Sequence, residues 1–104
     1  MQDSAGFINE AEIAKGVAGV AQELAPEVVH IRYEIGTDWS GDPAIYFRIL
    51  LSDEASKENR LYQIATLVRS RLQEALGLGT FCLLPYFNFR SVSEQAVLGE
   101  EAWA

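Results

Sequence analysis

Two runs of strict alternation constrain this chain more than any other feature. In Val29–Ile35, the apolar residues Val29, Ile31, Tyr33 and Ile35 alternate with His30, Arg32 and Glu34. In Ile45–Leu51, Ile45, Phe47, Ile49 and Leu51 alternate with Tyr46, Arg48 and Leu50. Successive side chains of a strand point to opposite faces, so each run predicts a strand with one face buried. Between the runs lies Gly36-Thr37-Asp38-Trp39-Ser40-Gly41-Asp42-Pro43, a stretch of turn chemistry. Two strands joined by so short a loop most simply pair antiparallel.

Two helical segments flank this unit. Asn9 with Glu12 three residues on forms a capping-box-like start, and Ile8 and Ile13 have the spacing of a hydrophobic staple. Ile13, Val17, Val20 and Leu24 make an apolar stripe that Pro26 ends. Gly16 and Gly19 interrupt this helix, and close packing against a sheet would explain them. A second helix follows Ser52-Asp53-Glu54, with its stripe at Leu61, Ile64, Ala65, Val68, Leu72 and Ala75. Gly77 is placed to close it, with Arg69 and Arg71 toward its negative end. A third strand is expected within Phe81–Arg90, with Phe87 and Phe89 on one face and Tyr86, Asn88 and Arg90 on the other. Pro85 makes that strand start late, bulge, or run along an edge. Ser91 and Glu94 are spaced as a capping box for a short last helix.

The expectation is therefore an α+β two-layer sandwich in α-β-β-α-β order. A short helix follows, and the helices cover one face of a three-stranded sheet. At 104 residues the chain is one domain, long enough for a core of its own, with residues 1–7 and 99–104 read as tails. The single cysteine, Cys82, excludes an internal disulfide and suits a reducing compartment. With no secretory leader pattern at its start and no apolar run of about 20 residues, the chain is expected to be cytoplasmic and to have no membrane partner.

The face turned away from the helices is the candidate site. If the alternation holds, it gathers His30, Arg32, Glu34, Tyr46, Arg48, Tyr86, Asn88 and Arg90, and the Trp39 loop lies beside it. Three of the chain's eight basic residues then meet between two tyrosines. Arginine and tyrosine are enriched at protein interfaces and also stack on bases. The bland alternative is a solvated sheet face on which Glu34 pairs with one arginine. A net charge of −7 weighs against nucleic acid as the partner and favours a basic protein, while a sheet with one bare face also invites pairing with a second copy of this chain. No catalytic constellation is visible. His30 and Cys82 would pair only by tertiary coincidence, and Gly77-Leu78-Gly79 follows a helix where phosphate-binding loops precede one. Asp38, Asp42 and Asp53 do not have the spacing of a calcium loop. The residues call for no cofactor and no metal, and the chain reads as a non-enzymatic interaction module.

The stretches Gly36–Ile45 and Phe89–Ala96 resemble those of a group of short, uncharacterised bacterial α+β proteins found beside HEPN-type, toxin-like partners. That resemblance covers about half of the chain and carries over no catalytic residue. It implies a small acidic protein, antitoxin-like or otherwise regulatory, that binds and neutralises a basic partner. The DNA-binding segment of many antitoxins has no counterpart here, so operator binding is not implied. The element order is also similar to KH-like domains and to cytosolic domains of cation transporters. The first would need a Gly-x-x-Gly loop between helices, and the second several histidines where this chain has one. The rival to a protein-binding role is an RNA- or nucleotide-binding module that uses the same face.

Overall fold

A computed structural model describes residues 9–77 and 83–104. Its order is α1 (Glu10–Glu23), β1 (Val28–Thr37), β2 (Pro43–Leu51), α2 (Glu58–Leu76), β3 (Leu84–Ser91) and α3 (Val92–Leu98), followed by a 3-10 turn at Glu101–Trp103. β2 is central, antiparallel to β1 and parallel to β3. A parallel neighbour cannot be reached through a tight turn, and α2 provides the crossover. This is the compact α+β fold expected, with β3 on an edge, where Pro85 costs no central ladder bond. Among the described residues, no helix is long and apolar enough to cross a membrane.

One hydrophobic cluster holds these elements together. Ile13, Val17 and Val20 of α1 and Val68, Leu72 and Leu76 of α2 meet Ile45, Phe47, Ile49 and Leu51 of β2. Ile31, Tyr33, Ile35, Phe87 and Phe89 pack at its border. The inward face is therefore the alternating apolar set of all three strands. β1 departs from the expected phase at its start. Val28 pairs with Leu51 and His30 with Leu50, so the register shifts between them. This bulge puts Val28 in the core (2% exposed) and Val29 outside (50%), where simple alternation places Val29 inside.

The helix ends follow local rules. Asn9 Oδ1 accepts the Glu12 N–H at 3.1 Å, while its staple partner Ile8 lies outside the described residues. α2 begins at Glu58, after Ser52-Asp53-Glu54-Ala55-Ser56 turn the chain into it as expected. It closes on Gly77 at φ 55°, the left-handed conformation that favours glycine. Leu76, and not Ala75, completes its buried stripe, and Leu61 is partly exposed. The last turn of α2 holds no basic residue. Arg71 instead grips Glu23 of α1 through two bonds, of 3.1 and 2.9 Å, and also pairs with Glu74. This contact with Glu23 raises the Arg71 pKa. Arg69 lies over the Phe89 ring, 5.5 Å from its centroid.

The two glycines of α1 differ. A Cβ on Gly16 would fall 2.4 Å from Leu76 Cδ2, so the close approach is between α1 and α2 and not with the sheet. A Cβ on Gly19 would meet nothing within 4 Å among the described residues. G19A is therefore expected to stabilise by about 1 kcal/mol through helix propensity. G16A must displace a buried leucine end and loses that gain. Urea denaturation of the two variants should separate them, and equal gains would refute the contact.

Candidate functional site

Strand register assembles the outward face as a grid. Across β1, β2 and β3 its rows are Glu34–Tyr46–Tyr86, Arg32–Arg48–Asn88 and His30–Leu50–Arg90. All eight strand residues expected on this face are therefore brought together. Trp39 stands beyond the tyrosine end, in the loop 38–42.

That end is tightly braced. Tyr46 and Tyr86 stack with ring centroids 5.3 Å apart. The Tyr46 hydroxyl donates to Thr37 O at 2.8 Å. Asp38 organises the loop. Its Oδ1 accepts the Ser40 hydroxyl (2.7 Å) and the N–H groups of Ser40 (2.9 Å) and Asp42 (3.0 Å), while Oδ2 accepts the Tyr86 hydroxyl (3.0 Å). Gly41, at φ 90°, completes the turn. Trp39 is carried on this rigid loop with 94% of its surface exposed. The loop is thus built from its aspartate outward, and the tryptophan contributes nothing to its packing.

The same bonds make the loop sensitive to pH. Led by the Ser40 hydroxyl, the donors hold the Asp38 carboxyl below its ordinary value of 3.8. The hydrogen bond to Asp38, with desolvation, raises Tyr86 above 10.0. The Asp38 contribution is present above pH 3.8 and is lost as pH falls through the lowered folded-state value. The Tyr86 contribution is present below pH 10.0 and is lost as pH rises through the raised one. Exchange protection of the Ser40 and Asp42 amides is expected to hold across neutral pH and fall at the acid end, with D38N removing that acid limb. Protection that is flat down to the acid-unfolded state would refute the brace.

In the middle row, Arg32 and Arg48 are directly opposed across the β1–β2 pair. Like charges so placed are unfavourable. Arg48 pairs with Glu34 at 3.1 Å, the partnership expected of an ordinary solvated face, and such an exposed pair contributes about 0–1 kcal/mol. Arg32 donates to the backbone oxygen of Ala104.

The third row departs furthest from the expected open face. Residues 99–104, read as a tail, lie against the sheet. Trp103 is buried to 7% exposure, and so is Leu50, between His30 and Arg90. Arg90 lies over the Trp103 ring at 4.3 Å, pairs with Glu100 at 2.6 Å and donates to Gln95 Oε1 at 2.8 Å. His30 Nε2 stands 2.9 Å from Trp103 O. The face expected to be open is therefore covered at one end by the chain itself. Two signals were present: a leucine on an otherwise polar strand face, and a tryptophan in an acidic stretch after Gly99, too apolar to remain in water without a function there.

Other expectations are placed as follows. Asp53 accepts from Ser93 N–H at 2.9 Å and from its hydroxyl, which lowers the Asp53 pKa. It lies past the far end of β2 from Asp38 and Asp42, a strand of nine residues spanning about 30 Å. The three carboxylates cannot share an ion. Cys82 lies outside the described residues, so its pairing with His30 has no geometry to report. A groove of about 580 Å³ lies between α1 and the end of α2, lined in part by Gly16, Gly19, Val20 and Leu76. It adjoins none of the grid residues. Compared with family models and with curated proteins, the chain matches none.

Proposed function

We propose that this chain is a non-enzymatic protein-interaction module whose contact surface is the open part of the grid together with the Trp39 loop. The observation that carries this reading is the exposure of Trp39 on a loop fixed by Asp38. Tryptophan, tyrosine and arginine dominate interface energetics, and a prepositioned aromatic loses little entropy on binding. Trp39, the Tyr46–Tyr86 stack, Arg48 and Asn88 form one continuous surface of that composition. An antitoxin-like role against a basic partner agrees with the net charge of −7 and with the family resemblance.

Affinity capture from the host lysate, comparing the unsubstituted chain with W39A, tests this reading. A specific protein should be recovered by the unsubstituted chain and bind W39A at least about 30-fold more weakly, the scale of a 2 kcal/mol hot spot. W39A should leave thermal stability unchanged, since Trp39 is almost fully exposed among the described residues. A partner equally retained by W39A and R48A would refute the surface. Recovery of RNA whose affinity falls steeply with salt would transfer the site to the RNA-binding alternative.

A further inference from the structure

The segment Glu100–Ala104 meets the sheet as a ligand would. An acidic side chain, Glu100, pairs with Arg90, and an aromatic one three residues later, Trp103, is sandwiched against the same guanidinium. His30 meets the backbone at Trp103 O, and Arg32 donates to the backbone at Ala104 O. Backbone capture by two side chains, with one acidic and one aromatic anchor, specifies a short peptide pattern and not a general apolar contact. Gly99, at φ 61°, turns the chain out of α3 immediately before it, and Glu101, Ala102 and Ala104 remain exposed. The anchors therefore lie on one side of a strap whose other side faces water.

We infer that His30, Leu50 and Arg90 form a peptide-binding socket for an acidic residue followed three positions later by an aromatic one. Residues 100–104 are its intramolecular, autoinhibitory occupant. The external ligand is a segment of another protein with that acidic–aromatic spacing, which exchanges with the strap. Charge supports this choice: the grid places Arg32, Arg48 and Arg90 against the one carboxylate of Glu34, so it is locally cationic on an acidic chain. An entering segment is acidic whatever the overall charge of the protein that bears it. The inference deepens the contact-face reading, since the socket is the covered end of that face.

The probe is a fluorescein-labelled peptide with the sequence of residues 97–104, titrated by anisotropy against the full-length chain and its W103A variant. An attached strap acts at an effective concentration on the order of millimolar, so a peptide of ~100 µM affinity is weakened about tenfold. Saturable binding to W103A, at least about tenfold weaker binding to the unsubstituted chain, and loss of binding in W103A/R90A are expected. A peptide with alanine in place of its tryptophan should not bind. If W103A does not fold, E100K serves instead, because it breaks the Arg90 pair and leaves the core untouched. No saturable binding to a folded variant, or equal binding to the variant and the unsubstituted chain, overturns the inference. So does loss of fold in both variants, which would make the segment purely structural. W39A should leave this titration unchanged, so the socket and the Trp39 surface can fail separately.

Discussion

Replacing Phe47 by alanine is expected to cost about 3–5 kcal/mol, the range for a large aromatic removed from a closed core. Phe47 is fully buried and stacks on Phe87 with centroids 5.3 Å apart. In the register it lies between Tyr33 and Phe87, at the middle of the central strand. No neighbouring strand can move in to fill the space without breaking its ladder. A domain of this size has about 5–15 kcal/mol in total, so F47A should lower the urea midpoint by about 2 M and populate unfolded chain at physiological temperature. Y46A, one residue away on the outward face, removes a half-buried ring stacked on Tyr86 and should cost on the order of 1 kcal/mol. Equal losses for the two variants would contradict the assignment of faces.

The second large effect is expected from R90A. Arg90 holds the strap at two places, over the Trp103 ring and at Glu100, and is itself positioned by Gln95 of α3. Its side chain is 16% exposed, so the cation–π contact is substantially desolvated and worth up to about 2 kcal/mol. The ion pair to the more exposed Glu100 adds at most about 1 kcal/mol. Opening of the strap should become about 30-fold more frequent, with a smaller change in global stability. In a W39F background Trp103 is the only tryptophan, and its emission should shift to the red in R90A. R90K keeps the charge but loses the planar guanidinium over the ring, so it should restore only part of the shift. An unshifted spectrum would mean that Leu50 and the backbone contacts hold the strap without Arg90. The effect also separates Arg90 from Arg48. Arg48 lies in the open part of the grid, whereas Arg90 holds the chain's own structure, so alanine at Arg90 tests docking of the strap before it tests any partner.

The grid was legible in the sequence because a strand's side-chain period is two. Once the phase of Ile45–Leu51 is known, the positions of Tyr46 and Arg48 follow, and likewise for His30 to Glu34 and Tyr86 to Arg90. The caps were legible for the same reason. Asn9, Gly77 and the Ser91–Glu94 box act within four residues of themselves, and all three are formed. Val29 shows the limit. A bulge inserts one residue where the β1–β2 register demands it, and nothing inside Val28–Ile35 marks which valine is displaced. The close contact of Gly16 with Leu76 likewise depends on how two helices separated by a hairpin come to lie.

By itself, the sequence determined the elements, the side of each strand that faces the core, and therefore the gathering of arginines and tyrosines on the opposite side. These are local properties, set by backbone periodicity and by which residues water excludes. Only the tertiary structure decided how much of that gathering remains open. The approach of Trp103 to Arg90 spans thirteen positions in the chain, and that of Trp103 O to His30 spans 73. Such contacts obey no period, because chain path and side-chain shape bring the partners together only after the sheet has formed. The face read from the alternation is present, and it is covered at one end by the chain that made it.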